Sequence, residues 1–184
     1  MLMSHNLVKF TRGLRLKTCG LIIIFFNMML PATIMAQVCT PAVTPQTISP
    51  GNFDFQIPNL ARDKLTGLQW HRCVYGQVWD GNTCSGNPKK LTWAEALREA
   101  EINGLRLPSI KEINSILDLQ CIVPPTNLEI FPNTPGSNAN GLWSSTPYIP
   151  TGTAKTNAWY VDLGFGFANY RDVDSKNFAR FVVK

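Results

Sequence analysis

The residues of this chain that could do chemistry are few and scattered. Beyond residue 36 there is one histidine, His71, close to Cys73, and one serine pair, Ser144-Ser145, directly after Trp143. Nucleophilic catalysis needs a nucleophile, a base within hydrogen-bond reach and a group that orients the base. Ser144-Ser145 lacks the flanking glycines of a nucleophile elbow, and no second histidine is present to serve it as base. A lone histidine on a strand beside a cysteine reads as structural or surface. The sequence therefore predicts no catalytic residue, no enzyme and no cofactor.

Carboxylates come nearest to a metal set. Asp172 and Asp174 share one side of an extended segment, and Asp162 lies upstream. Calcium takes about six to eight oxygens, of which these three with Asn157 or Asn169 would supply part. The Glu-Pro-Asn or Gln-Pro-Asp and Trp-Asn-Asp triplets of calcium-dependent sugar-binding lectins are absent. We read no metal site, with Asp162, Asp172 and Asp174 as its nearest candidates. Recognition chemistry is better supplied. Tyr148, Asn157, Tyr160, Asn169, Tyr170 and Arg171 fall in the C-terminal third. Aromatic faces stack on sugars or apolar patches, while amides and guanidinium groups offer hydrogen-bond forks. These six are the expected ligand-binding residues; the competing reading has Tyr160 and Tyr170 completing cross-strand packing. Trp70, Trp93, Trp143 and Trp159 sit in apolar patterns and are expected in the core, Trp79 at the surface. Lys89, Lys90 and Lys155 are cations that an acidic glycan could meet.

Compartment follows from the first 36 residues. Lys9, Arg12, Arg15 and Lys17 precede an apolar run over 21–30, Pro31 breaks it, and small residues lead to Ala36. That is the layout of a cleaved signal peptide, and the apolar run is too short to span a bilayer. The remaining 148 residues suit one domain. The chain's formal charge of +5 shrinks to +1 without the four basic residues of the leader, so nucleic acid and anionic membrane lose their case. Cys39, Cys73, Cys84 and Cys121 remain, an even set for an oxidising compartment. Three pairings are possible. Cys73 and Cys84 flank a short polar loop, which favours their bridge, with Cys39–Cys121 tying down the N-terminal segment. The residues before Cys39 do not suit lipidation, so no membrane anchor is expected. The expected location is periplasm, cell surface or medium.

The elements that must position these residues can be read in outline. Residues 37–52, rich in proline, suit an extended arm. Residues 53–57 alternate as a strand, and 68–71 form its partner. Thr92-Trp93-Ala94-Glu95 is a capping box opening a helix to about Ile102, stopped by Asn103-Gly104. Ser109-Ile110-Lys111-Glu112 repeats the box, followed by an apolar stripe of Ile110, Ile113, Ile116 and Leu117. Residues 132–157 read as a long polar loop region, 158–163 as a strand, and 178–183 as the last strand. Two early helices and short late strands argue for α+β.

Several motifs then line up in order. These are Leu65-Thr66-Gly67-Leu68-Gln69-Trp70, Gly76-Gln77-Val78-Trp79-Asp80-Gly81, Thr92-Trp93-Ala94-Glu95-Ala96-Leu97, Leu105-Arg106-Leu107-Pro108-Ser109, Leu142-Trp143-Ser144-Ser145-Thr146 and Ala158-Trp159-Tyr160-Val161-Asp162-Leu163-Gly164. Over residues 53–184 the chain resembles a bacterial domain family named for the C-terminal domain of a Legionella collagen-like adhesin. The family usually has Trp where Leu105 stands and often Cys where Phe181 stands, which makes Cys39 the partner of Cys121. The resemblance implies a C-type-lectin-like α+β domain with two helices, short antiparallel strands and a long loop region, its N- and C-terminal strands paired. It also implies adhesion through an extracellular polysaccharide or host glycan. The alternative is a protein-interaction or diversified display module of the cell envelope or pilus.

Overall fold

A computed structural model describes residues 37–149 and 156–184; the expected leader and Lys155 lie outside them. In chain order the strands are β1 (Val38–Cys39), β2 (Phe53–Asp54), β3 (Leu60–Asp63), β4 (Gln69–His71), β5 (Val78–Trp79) and β6 (Cys84–Ser85), then helix α1 (Trp93–Ile102), β7 (Leu105–Arg106) and helix α2 (Ile110–Asn114). They continue with β8 (Cys121–Ile122), β9 (Ser137–Tyr148), β10 (Asn157–Leu163), β11 (Ala168–Asp172) and β12 (Val182–Val183). One antiparallel sheet runs β2-β3-β4-β12-β7 and another β11-β10-β9; β1–β8 and β5–β6 are separate ribbons.

The helices begin where the capping chemistry places them. Thr92 Oγ1 accepts from Glu95 N at 3.3 Å and Glu95 Oε2 accepts from Thr92 N at 2.8 Å, satisfying two orphan donors. Ala96 and Ala100 let α1 lie closely on Trp143, Tyr160 and Phe181. Ser109 and Glu112 form the same box on α2. Glu112 is also gripped by both ends of the Arg106 guanidinium, at 2.8 and 2.7 Å, which fastens α2 to β7. A second core gathers Phe53, Trp70, Ile113, Ile116, Phe131, Val161 and Leu163.

One segment joins the two sheets. Every residue from Asn177 to Val182 is buried. Asn177 bridges Leu91, Phe178 exchanges backbone bonds with Gly141 and Trp143, and Ala179 and Phe181 accept from Tyr75 and His71. Val182 then lies between Trp70 and Arg106. Arg180, 1% exposed, donates to the His71 and Arg72 carbonyls and to Thr134 Oγ1 at 2.7 Å.

This architecture corrects the expected fold class. The protein is mostly β, 32% strand and 13% helical, with one helix of seven or more residues among the described ones, so the expected α+β, C-type-lectin-like domain gives way to a multi-sheet β domain. The second capping box opens only a five-residue helix. Ile116 and Leu117 continue its stripe into the core beyond the helix end. The expected loop region contains the longest strand, β9, held by β10 along its length. The N-terminal strand pairs with β8, and the C-terminal strand lies between β4 and β7, so the termini do not pair with each other. Both disulfides are as expected, Cys39–Cys121 and Cys73–Cys84.

Two stability predictions follow from these contacts. Lysine cannot reproduce the planar guanidinium fork, so Arg180→Lys leaves a buried acceptor unpaired and lowers the urea-derived unfolding free energy by about 2–4 kcal/mol. The Arg106 bonds hold the Glu112 carboxyl at about 2, below its ordinary 4.5. A carboxyl lowered by folding stabilises above its unfolded value and loses that contribution as pH falls through the folded one. Glu112→Gln is therefore less stable than the parent at pH 7, by about 1 kcal/mol for a partly solvated pair. The two urea midpoints converge between about pH 4.5 and 2.

Candidate functional site

Strand register builds an aromatic platform on the outer end of the β11-β10-β9 sheet. Trp159 lies opposite Tyr170, and Asn157 lies opposite both Tyr148 and Asp172. Residues paired directly across strands share a face. Tyr148 and Tyr170 stack at 3.9 Å between ring centroids, with planes 16° apart. Trp159 meets both edge-on, at 5.4 and 6.0 Å. Tyr170 is 47% exposed, and Tyr148 and Trp159 are half-buried. Burial and the neighbouring Tyr170 hydroxyl push the Tyr148 phenol up, so it stays neutral at physiological pH.

The alternation of β10 sets this outward position, with Trp159 between buried Ala158 and Tyr160, and a bulge in β9 lies opposite it. Tyr160 pairs with Trp143 and Ala158 with Pro147, so Ser144, Ser145 and Thr146 oppose Trp159 alone. Ser144 is fully buried and its hydroxyl donates to the Trp159 carbonyl at 2.8 Å. The expected core position of Trp159 is thereby corrected, and Ser144 is a backbone clamp. Trp143, on the same strand, is fully buried and donates its indole N–H to the Leu91 carbonyl.

The six expected binding residues divide between the faces. Tyr148, Asn157 and Tyr170 lie with Trp159. Tyr160, Asn169 and Arg171 register to the opposite face. Tyr160 is buried against α1, and the Arg171 guanidinium lies 4.7 Å over its ring while donating to Asn177 Oδ1 at 3.1 Å. Asn169 is exposed, and its Oδ1 accepts from Tyr170 N at 2.8 Å.

The carboxylates are not brought together. Asp162 Oδ1 accepts from Gly164 N and Phe165 N, capping the β10–β11 turn, while Asp172 caps Asp174 N at the other end of the hairpin. The intervening strand is about 16 Å long at roughly 3.3 Å per residue. Among the described residues no group of three His, Cys, Asp or Glu is placed to hold a metal ion.

A second concave site was not legible beforehand. A cavity of about 710 Å³ opens beneath the Cys73–Cys84 loop, bounded by the ends of β4, α1 and β7. His71, the one imidazole among the described residues, lies on its wall, and burial together with the Arg180 charge lowers its pKa. Trp79 is half-buried, correcting its expected exposure, because the Arg72 guanidinium stacks 3.9 Å over its ring. Lys89 is exposed at the rim, and Lys90 lies 5.3 Å over the Phe178 ring. The sequence signal for this site was Gly76, whose φ of +93° and close contact with Lys89 shape the wall.

Among curated proteins and among solved structures, none matches this chain. The family model described as the Lcl C-terminal domain matches residues 59–183, which hold the platform and all of both sheets but β2. The chain belongs to the Lcl C-terminal domain family.

Proposed function

We propose that this protein is an exported binding domain of the adhesin type, which engages a polysaccharide or host glycan through the Tyr148–Trp159–Tyr170 platform. The observation that carries this reading is three aromatic rings left on one sheet face, beside Asn157, by a register that turns Ala158 and Tyr160 into the core. Aromatic faces present a flat apolar surface to sugar C–H groups, and the amide beside them supplies donors and acceptors. Membership of the Lcl C-terminal domain family supports an adhesin-associated role. Two disulfides support an oxidising compartment. No helix among the described residues is long and apolar enough to cross a membrane. We read the protein as non-enzymatic. The Ser144 hydroxyl serves the backbone, and the four cysteines among the described residues are paired.

A second reading has its own observation. Phe165 and Phe167 at the β10–β11 turn are 45% and 68% exposed, which suits a protein partner.

The test is binding of the full chain, produced through an exporting host, to immobilised neutral and acidic polysaccharides, with and without EDTA. Binding is expected to survive EDTA, since the carboxylates cap turns. Tyr170→Ala is expected to weaken it about tenfold, the scale of one aromatic contact. Asn169→Ala, on the opposite face, leaves it unchanged. Silence across the panel, or equal losses for both variants, rejects the platform and favours a protein partner at Phe165 and Phe167.

A further inference from the structure

The cavity beneath the Cys73–Cys84 loop is independent of the platform. Its wall is preformed. Gly76 at φ +93° touches the 87–89 backbone so closely that a Cβ would sit 2.7 Å from Lys89 N and 2.8 Å from the Asn87 carbonyl. Lys89 N in turn donates to the Tyr75 carbonyl at 2.8 Å. The disulfide closes the loop, and Asn133 Nδ2 clamps it from outside through the Cys84 carbonyl at 2.7 Å and Thr83 Oγ1 at 3.1 Å. At about 710 Å³ the space is of the size that holds small-molecule ligands, which is roughly 300–1,000 Å³.

Charge narrows the ligand class. No aspartate or glutamate lines the cavity, while Lys89 does. Two more cations stand behind the wall. Arg72 spends its donors on the carbonyls of Pro58, Glu129 and Ile130, and Arg180 donates to carbonyls and a hydroxyl. Neither forms an ion pair among the described residues, whose ion pairs involve Arg98, Arg106 and Lys184. Glu99, the carboxylate adjoining Tyr75, accepts from the Tyr75 hydroxyl at 2.9 Å. Uncompensated positive charge beside a low-dielectric cleft concentrates anions there. The remaining wall pairs aromatic rings with amides: Tyr75, Trp79 and Phe181 for an apolar ring face, Asn59 and Gln77 for hydroxyl groups.

We propose that this cavity is a second ligand site, which takes a compact polyhydroxylated ring carrying one carboxylate, a sugar acid of the uronic class. Its carboxylate meets Lys89, and its ring lies against the aromatic wall.

The test is titration of the full exported protein with glucuronate, galacturonate, glucose and acetate, followed by NMR shifts and calorimetry. One charge-assisted contact makes a uronate bind about tenfold tighter than glucose. Acetate, which lacks the ring, binds more weakly than either uronate. Lys89→Ala removes about that tenfold advantage, and Asn59→Trp at the rim blocks entry, both with an unchanged thermal midpoint. Tyr170→Ala leaves uronate binding intact, which separates this site from the platform. Glucose or acetate binding as tightly as the uronates overturns the proposal. So does uronate binding that ignores both Lys89→Ala and Asn59→Trp, or no binding of any uronate.

Discussion

Arg180 carries a full charge into the centre of this domain, at the point where its two sheets are closest to sharing a strand. Burial pushes the guanidinium down to about 9, so it remains protonated at neutral pH. A buried charge without an opposite partner is costly unless its hydrogens are met. Here the carbonyls at the end of β4 and the Thr134 hydroxyl, which itself donates to the Phe131 carbonyl at 2.7 Å, meet the terminal Nη hydrogens, while the buried Nε has no partner among the described residues. The Phe131 ring lies 4.5 Å below the guanidinium carbon. The contact therefore fixes the end of β4, the loop before β9 and the strand approach to β12 together. With Arg180 in place the neighbouring residues can be apolar, and they supply both cores: Phe178 and Val182 to one, Ala179 and Phe181 to the other.

The same constraint sets the electrostatics of the surface. Because Arg180 is matched by neutral acceptors, its field is not cancelled locally: burial first, and then this charge, lower the His71 pKa. Arg72 follows the same pattern, held by three carbonyls and sandwiched between Phe55 at 4.9 Å and Trp79 at 3.9 Å. A domain with a nearly balanced sequence charge thus concentrates cations behind one face. The platform lies on the other sheet, where aromatic stacking and an amide dominate. The two surfaces therefore favour different ligand chemistry.

Local chemistry was legible in the sequence wherever it decided the structure by itself. The Thr92 box specified the start of α1, and the alternation of 158–163 specified β10 within a residue. The short polar loop between Cys73 and Cys84 specified their bridge. Long-range pairing was not legible. Residues 137–148 hold serine, asparagine, glycine and proline, poor strand formers in isolation, and become β9 because β10 supplies their partners. Gly141 is required there, since a Cβ would come within 2.1 Å of the Val161 carbonyl oxygen. In sequence it reads as a loop glycine; in space it marks the closest approach of two strands. The cavity was equally hidden, since its walls come from segments far apart in the chain.

The fate of the tryptophans shows why the aromatic platform was only half legible. Trp143 and Trp159 both sit in apolar-looking runs, yet one is fully buried and the other helps form the platform. A two-residue period assigns faces, but only register assigns neighbours. The bulge places Ser144, Ser145 and Thr146 opposite one residue, which slides β9 by two residues against β10 and keeps the faces in phase. Tyr148 is thereby aligned with Asn157 and Tyr170, while Tyr160 turns inward onto Trp143 at 6.1 Å. Tyrosines of identical chemistry are sorted by the unbroken alternation of the β10–β11 pair, Tyr160 inward and Tyr170 outward. Ser144 fixes the bulge with its hydroxyl bond to the Trp159 carbonyl. Ser144, which has no histidine base among the described residues, thus holds the bulge that brings Tyr148 level with Asn157.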